Sequence, residues 1–320
     1  MSAFRTALTR TAPALAACAA LLLAAGCAAQ PASAPAAQDA ASSGANAAGS
    51  NTAARAAAAA AATTADPATG LDASADGYWL VSATPEPTAV RSVDYRFQVL
   101  APDGSAVTSF LGGADTARVY AVRSDLTGLR RTVPVDLGEG VWSAQLGELD
   151  PGQWRIYVAF TPNSNPGPTG LPPRLLLSRT LLVPGTPEIS PLDPASPTAS
   201  VDGLLVRLTG QAVAGRPAVL RMSVSRPTVQ GVPPMTRTVN VPVNTLEPLD
   251  GGYGQLTGVH AADQALAPFT ALTPAVGMTG GPSAEFRGTF RSAGDWRVFV
   301  QFRTDGQDHT AMFTVPVRSR

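Results

Sequence analysis

Lysine is absent from this 320-residue chain, and every basic side chain is arginine. Only 14% of residues are charged, and 23 basic residues balance 23 acidic ones. A neutral chain has no net basic field with which to grip nucleic acid, so no nucleic-acid partner is expected. Histidine and cysteine occur twice each, too few for most zinc sites and most His-dependent triads. Gly-x-Ser-x-Gly, His-Glu-x-x-His, P-loop and dinucleotide-binding glycine patterns are all missing. Long helical periodicity is missing too. No 12-residue stretch after Asp76 repeats apolar residues at helical spacing, while proline is frequent throughout.

The chain does have a leader-like start and a low-complexity stretch behind it. Arg5 and Arg10 precede an uncharged apolar run over residues 14–25, which ends in Ala24-Ala25-Gly26-Cys27. The run is shorter than the roughly 20 residues of a membrane span and reads as a secretory leader. Small residues before a cysteine at this point resemble the lipobox of bacterial lipoproteins. That resemblance implies a signal peptide over residues 1–26 and lipidation of Cys27. The alternative is an ordinary leader cut near Ala28-Ala29. Cys18 lies inside the leader, so with Cys27 acylated the mature domains hold no cysteine and no disulfide. Residues 27–76 are rich in Ala, Ser, Gly and Thr and are expected to be a disordered tether, because they offer little to bury against ordering entropy.

The strongest internal signal is a repeat. Gly-x-Trp-Arg-x-x-Val-x-Phe occurs from Gly152 to Phe160 and again from Gly294 to Phe302, 142 residues later. In each copy Trp, the apolar residues two and four places on, and Phe share one face, the mark of a half-buried strand. Trp154 and Trp296 are therefore expected to anchor two cores. Arg155 and Arg297 should point away from them, their stems covering the sheet. Val93, Tyr95, Phe97 and Val99 alternate likewise, as do Leu220, Met222 and Val224. Further strands are expected over residues 116–123, 142–146, 175–183, 204–209 and 310–317. Short strands separated by Gly and Pro indicate an all-β chain. We expect two tandem immunoglobulin-like β-sandwich domains, over residues 77–183 and 201–320. A Pro-rich linker over residues 184–200 would join them as a semi-rigid spacer.

Residues 119–128 (Val-Tyr-Ala-Val-Arg-Ser-Asp-Leu-Thr-Gly), the Pro-Gly-x-Trp-Arg strand, residues 254–274 and residues 292–317 resemble bacterial secreted or lipid-anchored proteins. These carry tandem β-sandwich repeats of the heavy-metal-binding, copper-associated type. The resemblance implies one His early in a strand and a His-x-His-Pro after it. Here those positions fall on Arg118, Arg131 and Val133 in the first half, and on Gln255, Ala271 and Thr273 in the second. Arginine stays protonated and cannot ligate a cation. The resemblance thus implies a relative whose metal ligands are gone, and no metal, cofactor or catalytic residue is expected.

The remaining candidates are few. Arg118, Arg130 and Arg131, with Arg123 nearby, form a candidate patch for an anion or a partner; the alternative is a solvated face among Asp115, Asp125, Asp136 and Glu139. His309, at the start of the last strand, is a weak candidate, read as a hydrogen-bonding residue that fixes a turn. His260 is read as a surface histidine. The carboxylates of Glu148 and Asp150 fall in a tight turn, not in a cleft suited to acid–base work. The leading expectation is a non-enzymatic lipoprotein, membrane-held through its N-terminal lipid in the periplasm or at the cell surface. It would bind or scaffold an envelope protein or component. A periplasmic or surface heavy-metal (copper) binder, using scattered residues such as Met222 and Met235, and a hydrolase with an unfamiliar site are the alternatives.

Overall fold

A computed structural model describes residues 69–84, 92–163, 172–275 and 277–320 of the chain. The expected leader, Cys27 and most of the expected tether lie outside the described residues. Among the described residues there is no α-helix, only a single 3-10 turn at Ala114–Thr116.

The first half holds β1 (Ser74–Ala75), β2 (Tyr78–Ser82), β3 (Ser92–Leu100), β4 (Arg118–Arg123), β5 (Leu129–Thr132), β6 (Val135–Asp136), β7 (Val141–Glu148), β8 (Gly152–Phe160) and β9 (Leu175–Val183). They form two antiparallel sheets, β1-β2-β3-β7-β6 and β5-β4-β8-β9. The alternation in β3 turns Val93, Tyr95, Phe97 and Val99 inward, and Trp154, Ile156, Val158 and Phe160 of β8 meet them from the other sheet. The second half holds β10 (Thr198–Val201), β11 (Leu204–Gly210), β12 (Pro217–Val232), β13 (Met235–Pro242), β14 (Leu246–Glu247), β15 (Gln255–His260), β16 (Leu266–Pro268), β17 (Thr270–Ala271), β18 (Ser283–Thr289), β19 (Gly294–Thr304) and β20 (Gln307–Val317). One sheet runs β10-β11-β12-β18-β17 with β13 added to β12; the other runs β14-β19-β15-β16 with β20 on β19. Their core packs Val206, Leu220, Met222, Phe286, Trp296, Val298 and Phe313. The chain is therefore all-β, built as two immunoglobulin-like sandwiches.

Strand register makes the repeat explicit. Arg123 pairs with Trp154 and Arg118 with Ala159; His260 pairs with Trp296 and Gln255 with Gln301. Arg118 thus corresponds to Gln255, and Arg123 to His260. Each Trp indole N–H donates to the carbonyl four residues before it, Trp154 to Asp150 at 2.9 Å and Trp296 to Ser292 at 3.1 Å. In the second half of the repeat, the ladder places Pro268 opposite Thr257 as it places Arg131 opposite Tyr120. Pro268, not Ala271, is therefore the residue equivalent to Arg131, which corrects that part of the sequence alignment. The return strand follows at the same spacing in both halves, Leu129 opposite Val122 and Leu266 opposite Val259, so no insertion separates the two copies here.

The two sandwiches pack against each other. The outer faces of β4, β8 and β9 supply Tyr120, Val122, Tyr157, Ala159 and Leu176, and the second sandwich supplies Val259, Leu266 and Phe299. The central strands are consequently buried on both faces, as in β4, where every residue after Arg118 is buried. Equivalent positions meet in this layer: Val122 with Val259, Tyr157 with Phe299 and Leu129 with Leu266 are the same repeat positions in the two halves.

Two expectations about connecting segments need correction. The tether, expected to run to Asp76, gives way to the fold by Thr69. Thr69 O accepts from Leu266 N–H of the second sandwich at 3.0 Å, and Asp72 O accepts from Ser178 N–H of the first at 2.8 Å. Ser74 and Ala75 are buried in β1. Gly70 crosses this seam with φ +67°, and a Cβ there would sit 2.6 Å from Leu176. The Pro-rich linker is a strap and not a free spacer. Glu188 O accepts from Arg123 at 2.7 Å, Asp193 O accepts from Thr314 Oγ1 at 2.6 Å, and Leu192 packs on the layer between the sandwiches. Its last residues, from Thr198, already belong to β10.

Candidate functional site

Beside this apolar layer the sandwiches part to leave a cleft of about 470 Å³. Its walls carry Arg118, Tyr120, Arg131 and Arg174 from the first sandwich and Asp250, Gln255 and Thr257 from the second. Three of its charged side chains are guanidinium groups and one is a carboxylate.

Asp250 comes from a tight turn. Asp250 and Gly251 have φ of +52° and +83°, and Leu249 and Gly252 exchange backbone hydrogen bonds across them at 2.7 and 3.3 Å. Asp followed by Gly suits two successive positive-φ positions. The turn carries the carboxylate across the seam, where both oxygens are held by the first sandwich. Arg118 grips it through Nη2 and through Nε (3.3 Å), and Arg131 grips it through Nη2. Burial opposes ionisation of Asp250, but the hydrogen bonds and charges of Arg118 and Arg131 outweigh it, so its carboxyl titrates below the usual range.

The three cations are not equally engaged. Arg118 also donates to the carbonyls of Asp115 and Ala117. Arg131 lies over the Tyr120 ring, with its guanidinium carbon 5.7 Å from the centroid, and among the described residues its Nε and Nη1 have no acceptor. Arg174 is exposed just before β9 and makes no hydrogen bond among the described residues. The cleft therefore offers two unmatched positive charges and unused donors in the fork geometry that suits a carboxylate or phosphate.

The structure divides the patch expected from sequence. Arg118 and Arg131 come together on Asp250. Arg130, one residue along β5, faces the other way, and its Nη2 donates to Glu148 O at 3.2 Å. Arg123 is buried and ties its own turn and the strap, donating to Pro151 O and Glu188 O. Of the positions where the family resemblance expects histidine, Arg118, Arg131, Gln255 and Ala271 line this one cleft. Among the described residues, no three His, Cys, Asp or Glu side chains are grouped to hold a metal ion.

His309 lies where a turn needs it. Its Nδ1 is 2.7 Å from Asp202 Oδ2 in the Asp202-Gly203 turn of the β10–β11 hairpin, and its ring stacks on Phe302. His260 is not a surface residue, as sequence reading expected, but is buried against the Trp296 ring. Its Nδ1 lies 2.7 Å from Asp263 Oδ1 and its Nε2 3.2 Å from Ala293 O. The Arg123–Pro151 bond occupies the equivalent place in the first sandwich, so the position is a turn tie in both halves. Arg155 and Arg297 point away from their cores as expected, but into buried surroundings. Arg155 donates to Leu71 O at 2.9 Å and to Gln264 Oε1 at 3.3 Å. Arg297, 1% exposed, pairs with Asp193 of the strap at 3.0 Å.

The matched family can now be placed on this frame. Residues 199–319 match a domain of unknown function, DUF8832. The matched segment spans the second sandwich and so supplies Asp250 and the Gln255 wall of the cleft. The arginine wall lies outside the match, in the first repeat. No curated protein matches the chain. Among the described residues no helix is long and apolar enough to cross a membrane.

Proposed function

We propose that this chain is a non-enzymatic binding or scaffolding module of the bacterial cell envelope, carried on a lipid at Cys27. In this reading it holds an anionic group of an envelope component in the cleft between its sandwiches. The observation that carries the reading is the charge imbalance of the cleft, three guanidinium groups facing one carboxylate. Asp250 fixes Arg118 and Arg131 in place without satisfying them, which leaves Arg131 and Arg174 to receive a carboxylate or phosphate by charge-assisted hydrogen bonds. The same geometry supports a binding role over a catalytic one. A carboxylate held ionised by two arginines is a poor base near neutral pH, and no other titratable group but arginine and Tyr120 lines the cleft.

Isothermal titration with inorganic phosphate and with citrate tests the reading. Arg174 is the informative variant, because its side chain supports nothing else among the described residues. We expect saturable binding by the native protein, about tenfold weaker in Arg174→Ala, and weaker still as salt is raised. Absence of binding with both anions, or binding unaltered in Arg174→Ala, overturns it.

A further inference from the structure

Beyond Ser225, which still pairs with Leu205 of β11, β12 leaves its sheet and runs on with β13 as a two-stranded arm. The ladder pairs Ser225 with Pro242 and continues to Val232 with Met235. Nearly every residue of the arm is exposed, including Val229 (68%), Val232 (78%), Met235 (84%) and Val241 (42%). A two-stranded ribbon with large apolar side chains in water is marginal by itself, and this one carries Arg226 and Arg237 but no acidic residue.

The hydrogen-bonding sides of its strands follow from one bond. Val243 N–H donates to Val224 O at 3.0 Å, so the bonded pairs inside the arm alternate from there: Arg226–Val241, Thr228–Val239, Gln230–Arg237 and Val232–Met235. Pro227 and Pro242 both fall in the intervening class, where no inward N–H is required. The outer edge of β12 therefore lacks a donor at Pro227. The outer edge of β13 is unbroken from Thr236 through Thr238 to Asn240, whose N–H and C=O groups face outward, and loses its donor only at Pro242, where the arm joins the sheet. Among the described residues β13 pairs with nothing but β12.

We propose that this edge of β13 pairs antiparallel with the same edge of a second copy of the chain, about a two-fold axis at Thr238. The sequence is self-complementary in that register. Thr236 faces Asn240 of the other copy, Met235 faces its Val241, and Arg237 faces its Val239, so no like charges are opposed. Val232, Met235, Val239 and Val241 share one face of each arm with Arg226, Thr228, Gln230 and Arg237, and pairing joins the two faces into one four-stranded surface of mixed apolar and basic side chains. The proline on the opposite edge blunts it against further addition, so the assembly closes as a dimer and does not grow.

Sedimentation equilibrium of the full chain over a wide concentration range tests this. The expected mass rises from 32.6 kDa toward twice that value. Thr238→Pro removes the central outward N–H at a position of the class that already tolerates Pro227 and Pro242, and is expected to weaken the dimer by at least about tenfold with an unchanged circular dichroism spectrum. A charge pair gives a second test that leaves the backbone intact. Val239→Arg, placed opposite Arg237 of the partner copy, should weaken the dimer, and Val239→Glu should tighten it. A single 32.6 kDa species at every concentration, or equal weakening by both charges, overturns the proposal. Monomers that instead sediment with phosphatidylglycerol vesicles would also overturn it, and would give the apolar tip to a bilayer.

Discussion

Replacing Asp250 with Asn tests the seam between the sandwiches and the cleft together. The carboxylate is 28% exposed, and its partners Arg118 and Arg131 are 13% and 16% exposed. Exposed ion pairs contribute about 0–1 kcal/mol, whereas breaking a fully buried pair costs about 3–5 kcal/mol. A half-buried carboxylate shared by two guanidinium groups falls between these limits, so the loss should be about 2–3 kcal/mol. For a folded unit of this size that is a fall in Tm of roughly 4–12 °C. The sign with pH follows from the depressed carboxyl. Burial works against its charge and the two arginines more than compensate, so the stabilisation is present above the unfolded carboxyl pKa of about 3.9. It is lost as pH falls through the lower folded value. Differential scanning calorimetry of native and Asp250→Asn protein should show the gap at pH 7 and its closure as the solution is acidified. Phosphate should restore more stability to the variant than to the native protein, because Asn leaves all three arginines unmatched. A Tm difference below about 1 °C at pH 7, or one unchanged on acidification, refutes the reasoning.

Three further outcomes are expected. Tyr157→Phe removes a hydroxyl that donates across the seam to Gln264 O and should cost about 1–2 kcal/mol in urea unfolding. Burial drives the Tyr157 hydroxyl well above the ordinary phenol range, against a smaller opposing effect of Arg155. Its contribution to stability is therefore full at neutral pH and lost only as pH rises past the unfolded value near 10, which ultraviolet titration would follow. Trp296→Ala empties a fully buried site and should cost about 3–5 kcal/mol by the same unfolding assay. Cys27→Ala should move the protein from the membrane to the soluble fraction in a high-salt wash.

Much of this fold was readable because each sandwich has a dry inner face and the side-chain period of a strand is two. The alternation at Val93–Val99 and the repeated Trp frame located β3, β8 and β19, and residues 175–183 emerged as β9. The docking of the sandwiches was harder to see. Its signal is the second apolar face, Tyr157 and Ala159 in β8 and Phe299 in β19, which interrupts the alternation without marking what covers it. The arm was missed because an exposed ribbon of Thr, Val and Pro carries no burial pattern at all. At the site, the arginine cluster was legible, but its partner was not. Asp250-Gly251 reads as a turn from sequence, and nothing local says that the turn reaches residues more than a hundred positions earlier. His260 is buried for a related reason: its cover is the Trp296 ring, 36 residues on in the neighbouring strand, while Asp263, three residues away, supplies only a hydrogen-bond partner.

The repeat also explains why the cleft is polarised. Arg118 and Gln255 are equivalent residues, as are Tyr120 and Thr257, and Arg131 and Pro268, and all six line the same cleft. Two copies of one surface have been brought face to face, and the seam uses equivalent apolar residues from both. A symmetric pairing of identical halves would set arginine against arginine across the cleft, at a cost in mutual repulsion. Here one half keeps the cations, and the other presents Gln, Thr and Pro together with the Asp250 turn. The substitution removes the repulsion and leaves an excess of positive charge on one wall, so an anion entering the cleft meets donors on one side, and on the other Gln255, Thr257 and a carboxylate already paired to Arg118 and Arg131. Restoring symmetry with Gln255→Arg should separate the two effects. It should loosen the seam, lowering Tm by a few degrees at low salt and less at high salt, while tightening phosphate binding. A variant that loosens the seam without gaining affinity would show that the cleft charge serves docking alone.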